Sequence, residues 1–253
     1  NSASIAKSYD SKLKYYKNNN TVPLYAARNL ALKKAIGEFV AILDCDDLWD
    51  PRKLEQQVPL FLNQKIGLVY SDAYYFSDSR IEKQLFKTRP FYKGNCFSQL
   101  FTDYCIPLVS MVFRRKIIES MAFPFDQRFS MNGDWDLSLK IAQNWEIDMV
   151  NKPLAYWRIH SQSLSHTNSN DFIKESDLML QSYISNDPHF TEKYRKEITL
   201  FQLNLNYLKT LNLWRLSRNK EARQIFNKQR FQSVKFFIVS IALFFPKKKF
   251  DQF

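Results

Sequence analysis

Residues 39–50 read FVAILDCDDLWD. Phe39 to Leu43 form an unbroken apolar run of strand length, the pattern of a strand buried on both faces. It runs straight into Asp44, Asp46 and Asp47. Three carboxylates at the end of a buried strand are costly unless a cationic partner joins them. In open α/β sheets, ligands collect at the carboxyl ends of strands. Asp44 and Asp46 project to the same side if the chain stays extended. A hard divalent cation, itself carrying phosphates, suits such a pair. The plainer alternative is a solvated acidic turn, with Asp50 capping a helix whose first position is Pro51.

Working outward, a helix is expected over 24–36, with small and apolar residues at Ala27, Leu30, Ala31 and Ala35. Gly37 stands where a C′ glycine belongs. After Pro51, Leu54, Val58 and Leu62 share a helical face. Strands are predicted at 12–17, 66–76, 109–113, 147–150 and 154–160. Helices are predicted at 116–121, 134–145 and over most of 170–230. Leu200, Leu203, Tyr207, Leu211 and Trp214 form one stripe in the last of these. Strand alternating with helix in the first hundred residues predicts an α/β fold with a mostly parallel sheet.

Composition narrows the function. The chain has 253 residues, 45% of them hydrophobic, which excludes wholesale disorder. Four glycines (37, 67, 94 and 133) can assemble neither a G-x-G-x-x-G loop nor a P-loop. Any nucleotide must therefore be held without a glycine cradle. Three cysteines with no C-x-x-C pairing argue against a disulfide framework or a cysteine-zinc site and suit a reducing compartment. No stretch reaches the ~18 apolar residues of a spanning helix.

The formal charge of +12 is unevenly placed. Residues 191–253 carry 14 Lys and Arg against 4 Asp and Glu, a net of +10. This tail contains FFIVSIALFF at 236–245, flanked by Lys235 and by Lys247 to Lys249. Such a segment fits a membrane interface, with lysines at the headgroups. Its bland counterpart is a last buried helix with a solvated lysine end. No nucleic-acid-binding signature accompanies the charge.

Two further features can carry chemistry. Gly133-Asp134-Trp135-Asp136-Leu137 opens a predicted helix with two carboxylates, where the helix dipole favours negative charge. One of them can act as a general base, or both can be plain helix-start residues. Arg28-Asn29 follows a polar loop, where an arginine pairs with a phosphate or a carboxylate. His160 closes a predicted strand, while His166 and His189 have no context.

Together the segments ASIAKSY, AARNLALKKAIGEFVAILDCDDLWDPRKLEQQ, SMVFRRKIIES, GDWDLSLKIA and PLAYWRIHSQSLS resemble a family 2 glycosyltransferase of the GT-A fold. They occur in that family's order across roughly residues 2–166. The resemblance implies a Rossmann-like, mostly parallel sheet over 1–166; the composition adds a helical, basic region over 167–253, with a membrane-surface segment expected at 234–249. It implies an inverting transfer from a nucleotide-sugar donor (UDP- or similar) to a glycan or lipid-linked hydroxyl acceptor, in envelope or capsule polysaccharide synthesis. The setting it implies is the cytoplasmic face of the inner membrane, without nucleic acid. Asp44 and Asp46 match the D-x-D, which handles the donor, and Asp46 would hold Mg²⁺ or Mn²⁺. Asp134 matches the catalytic base and His160 a histidine that reaches the metal. Arg28 and Asn29 match the donor-side A-R-N segment. Trp49, Trp135 and Asp136 are candidates on the acceptor side.

Three departures stand out. Gly133 replaces the family's glutamate before Asp134. The loop NNNTVPLY lacks the glycine common there. The first strand and the Asp-Asp-Gly-Ser segment expected upstream of ASIAKSY are not in this sequence, so the chain reads as N-terminally incomplete. The alternative is an inactive truncated remnant or a non-catalytic membrane-associated partner.

Overall fold

The alternation in the sequence resolves into one six-stranded sheet backed by helices. A computed structural model describes residues 2–9, 13–77, 80–160 and 169–229. The strands are β1 (Phe39–Ala41), β2 (Leu48–Trp49), β3 (Ile66–Ser77), β4 (Arg80–Gln84), β5 (Val112–Arg114) and β6 (Glu146–Arg158). The helices are α1 (Ser2–Ser8), α2 (Leu24–Lys34), α3 (Lys53–Gln57), α4 (Phe97–Thr102), α5 (Arg115–Glu119), α6 (Gly133–Ala142), α7 (Ser169–Asn186), α8 (Phe190–Lys193), α9 (Arg195–Arg215) and α10 (Asn219–Gln229). The stretch 13–17, predicted as a strand, is irregular.

Strand order is β1-β5-β3-β6-β2, with β4 folded back on β3. The fold class is α/β as expected, but the sheet is not mostly parallel among the described strands. Only β3 and β6 pair in parallel, from Ile66↔Glu146 to Phe76↔Arg158. β5 is antiparallel to both β1 and β3 and lies between them. β1, β3 and β6 therefore still point the same way, as strand-helix-strand alternation requires. Alternation sets direction but not adjacency, and β5 returns from a long excursion to fill the gap.

β1 is shorter and less covered than its apolar run suggests. Val40 is buried, Ile42 half-buried and Leu43 47% exposed. The strands predicted at 147–150 and 154–160 are one continuous strand. Pro153 sits opposite Asp72 where the β3–β6 register shifts, so its missing N–H costs no ladder bond.

The main core lies on the face of the sheet that carries Leu68, Tyr70, Ile147 and Met149. Helices α4 and α6 cover it with Leu100, Phe101, Leu137 and Ile141. The helical region continues this core. Ile173, Met179, Phe190 and Phe201 belong to the same cluster, and Phe201 stacks on Phe101 at 4.9 Å. The stripe of Leu203, Tyr207, Leu211 and Trp214 packs against Ala222 and Phe226 of α10. Among the described residues, no helix is long and apolar enough to cross a membrane. The predicted membrane-surface segment at 234–249 lies outside the described residues.

Candidate active site

The acidic stretch after β1 closes as a tight turn, with Asp47 N–H donating to Asp44 O at 3.1 Å. β2 follows at once and pairs with β6 through Leu48↔Tyr156 and Trp49↔Ala155. That pairing brings the turn beside the end of β6, and β6 grips it. Arg158 Nε donates to Asp46 O at 2.7 Å, and Arg158 N–H donates to Asp47 Oδ1 at 2.8 Å. His160 Nε2 lies 3.0 Å from Asp46 Oδ2. Burial pushes the Asp47 carboxyl up to about 6, aided by Asp46 and Asp44 and opposed by the Arg158 N–H.

From the other side, α2 presents one face made of Tyr25, Arg28, Asn29 and Leu32, the spacing of one helical stripe. Arg28 Nη2 reaches both oxygens of Asp44, at 2.8 and 2.7 Å. Its guanidinium rests over the rings of Tyr25 and Phe125, 5.3 and 5.7 Å from their centroids. Asn29 was expected on the donor side, and the structure gives it a different task. It is buried, and both ends of its amide bond the backbone of Phe125. The amide is thus committed at both ends to the backbone of Phe125.

Asp134 occupies the first turn of α6. Tyr104 O–H donates to its Oδ2 at 3.3 Å. Burial pushes its carboxyl up to about 6, while Arg28, the α6 backbone and Tyr104 pull it down. Arg28 thus bears on both motifs, bonded to Asp44 and within the field of Asp134. Asp44, Asp46, His160 and Asp134 therefore gather around one end of the sheet.

Trp135 and Asp136 do not line this region. Trp135 is core: it stacks on Tyr104 at 5.6 Å and on Phe172 at 6.1 Å, and its indole N–H bonds Leu100 O. Asp136 lies about 200° around the helix from Asp134. It is buried beside Tyr183, paired to Lys140 at 2.7 Å, and faces a separate cavity of about 750 Å³ that Arg128 and Ser182 also line. Trp49 is half-buried, its indole N–H bonds Val109 O, and its ring lies 4.4 Å from Lys53 Nζ.

Two residues at the site were not singled out from the sequence. Arg158 had only its shared strand face with His160 as a signal. Glu175, on α7, is 7% exposed and accepts from Ser130 N–H and O–H, Met131 N–H and Asn132 N–H, at 2.6 to 2.9 Å. It fixes the segment that leads into α6 and Asp134. Its sequence signal was faint: a carboxylate at helical spacing from Phe172, Leu178 and Met179.

Known proteins resemble this chain in sequence and in fold. The model for glycosyl transferase family 2 matches residues 1–121. The Escherichia coli UDP-Glc:alpha-D-GlcNAc-diphosphoundecaprenol beta-1,3-glucosyltransferase WfgD is 26% identical over 172 residues, 67% of this chain and 65% of that protein. An uncharacterized glycosyltransferase of Rickettsia felis is 27% identical over 216 residues, 85% of this chain and 34% of that protein. The chain thus spans about one third to two thirds of these relatives' lengths. Among solved structures, S. aureus TarS 1–349 with UDP-GlcNAc superposes with a TM-score of 0.59 at 17% identity, over 79% of this chain and 59% of that one. The mannosyltransferase PcManGT of Pyrobaculum calidifontis, with GDP-Man and Mn²⁺, gives 0.58 at 13% identity, over 95% and 65%.

Proposed function

We propose that the chain, whose residues 1–121 match glycosyl transferase family 2 and whose fold is of the GT-A type, is a member of that family and transfers a sugar from a nucleoside-diphosphate donor to an acceptor hydroxyl, with inversion. The observation that carries this reading is Arg28, which is bonded to Asp44 and acts on the charge of Asp134. It links a donor-handling turn to a poised carboxylate.

In this mechanism Asp134 takes the proton of the acceptor hydroxyl. The acceptor oxygen forms a bond to the anomeric carbon as the bond to the diphosphate oxygen breaks, and that electron pair leaves with the diphosphate. A carboxyl near 6 is ionised at neutral pH yet more basic than an ordinary aspartate, which suits a general base. One base suffices for inversion, because no covalent enzyme intermediate forms. Arg28 and Arg158 hold the turn that faces the donor.

The donor set suits a hard divalent cation such as Mg²⁺ or Mn²⁺. Asp46 Oδ2 and His160 Nε2 converge to 3.0 Å, while Asp44 is engaged by Arg28. Among the described residues no group of three or more His, Cys, Asp or Glu could hold a metal alone. Asp46 with waters and diphosphate oxygens would give the oxygen shell that Mg²⁺ prefers, and the His160 nitrogen would be better accommodated by Mn²⁺. When bound, such an ion neutralises charge on the leaving diphosphate.

The E. coli relative's diphosphoundecaprenol acceptor and the basic tail support a lipid-linked acceptor at the inner membrane's cytoplasmic face. The deciding experiment is Asp134→Asn, expected to lower transfer by about 10²–10⁴-fold while donor binding persists. Unchanged turnover would remove Asp134 from the role of base.

A further inference from the structure

The ring of Tyr25 and any side chain at position 133 are mutually exclusive in volume. Tyr25 is 2% exposed and stacks on Phe125, with centroids 5.2 Å apart and planes at 14°. A Cβ on Gly133 would fall 2.5, 2.6 and 2.7 Å from its Cζ, Cε1 and Cε2. These are the atoms at the phenol end of the ring. The tyrosine tip thus rests on the Cα of the residue that opens α6. The next residue is Asp134. No L side chain larger than glycine fits at 133 while this ring stays in place.

Groups facing Asp134 come from three directions. α2 supplies Tyr25 and Arg28, the loop after α4 supplies Tyr104, and α6 supplies its own first N–H groups. Glu175 of α7 acts on Tyr25 from further off. Of these, Tyr25 contributes bulk without a charge or a direct hydrogen bond to the carboxylate. Its place is steric: its ring packs against the Cα of Gly133 at the start of α6.

We propose that Tyr25 is a positioning residue for Asp134: its ring fills the volume a side chain at 133 would occupy, fixes the start of α6 and keeps water from one side of the carboxylate. The inference rests on Asp134 being the base, and it deepens that reading. It also accounts for Gly133, which leaves room for the tyrosine. The burial that raises the Asp134 carboxyl to about 6 agrees with such a wall.

The test is a carboxyl-carbon NMR titration of Asp134 in the full chain. The wild-type midpoint is expected near 6. Tyr25→Ala should lower it by about one pH unit or more as water enters, and Tyr25→Phe, which keeps the ring, should restore most of the shift. Gly133→Ala should destabilise the wild type and be tolerated in a Tyr25→Ala background. If Tyr25→Ala does not fold, Tyr25→Leu, which withdraws from Gly133, takes its place. A midpoint unchanged on losing the ring, in a chain with intact circular dichroism, overturns the proposal. The pH–rate profile of transfer separates the two claims. A midpoint that moves while the rate profile does not would keep Tyr25 as the wall and refute Asp134 as the base.

Discussion

Arg28 and Asp44 meet through a single guanidinium nitrogen that sits between the two carboxylate oxygens, at 2.8 and 2.7 Å. The arginine side chain is 11% exposed and the aspartate 43%. The cation is therefore held by its aromatic neighbours, while the carboxylate keeps one side toward solvent. The pair fixes the entrance of the acidic turn to α2.

Arg28→Lys keeps the charge and loses the planar contact with Tyr25 and Phe125. Stability should fall by only about 1 kcal/mol, because Asp44 is solvent-screened. Transfer should fall at least about tenfold, because the turn loses its orientation. Denaturant melts and initial rates measured on the same preparation check both. A large stability loss with unchanged specific activity would make the pair merely structural.

Asp134 also predicts a stability effect with a definite sign. Its folded carboxyl stands at about 6 against an ordinary 3.8. Between these values the folded chain holds the extra proton, so stability drops as pH rises from about 4 to 6 and the cost persists above. Asp134→Asn should therefore melt a few degrees higher than wild type at pH 7.5 and show little difference at pH 4. A variant that melts lower at pH 7.5 would contradict the burial that raises this group.

Glu175→Ala would leave three backbone N–H groups and the Ser130 hydroxyl without their acceptor. The expected loss is on the order of 3 kcal/mol. Glu175→Gln retains one carbonyl oxygen and should lose less. Urea titration of both variants gives the ranking, and equal midpoints for Glu175→Ala and wild type would refute it.

Lys53 is 1% exposed, its Nζ has no hydrogen-bond partner among the described residues, and burial lowers its pKa to about 7. The unfolded chain holds that proton up to about 10.5, so the folded state gains stability as pH rises from about 7 to 10.5. Lys53→Met keeps the length and removes the buried amine. It should stabilise the chain at pH 6 to 7, with the gain shrinking toward pH 10.5. Thermal melts across that range check it. A loss at pH 6.5 would mean that the contact with the Trp49 ring outweighs the burial cost.

What could be read in the sequence was local. Asp44, Asp46, Asp134 and His160 each stand in a short motif next to a recognisable element, and the fold gathers them at one end of the sheet. The opposite placement of Asp134 and Asp136 was also legible, since two residues on a helix turn about 200°. Other features depend on partners far along the chain. Asn29 reads as a ligand until Phe125, 96 positions away, takes its amide. Trp135 reads as an acceptor-side residue until Tyr104 and Phe172 close around it. The place of β5 between β1 and β3 rests on register, which no local pattern encodes. Gly133 looked like a lost carboxylate, and its cause, the ring of Tyr25, arrives from more than a hundred residues earlier.

The four hydrogen bonds to Glu175 bear on how this protein can be taken apart. The end of the motif segments invites a cut near residue 166. Such a cut discards the acceptor that latches residues 130–132, together with the aromatic rings of α8 and α9 that close over Phe97 and Phe101. The smallest excisable piece that keeps Asp134 in place must therefore run through α9, and swapping the helical region between relatives would also disturb the segment that leads into Asp134.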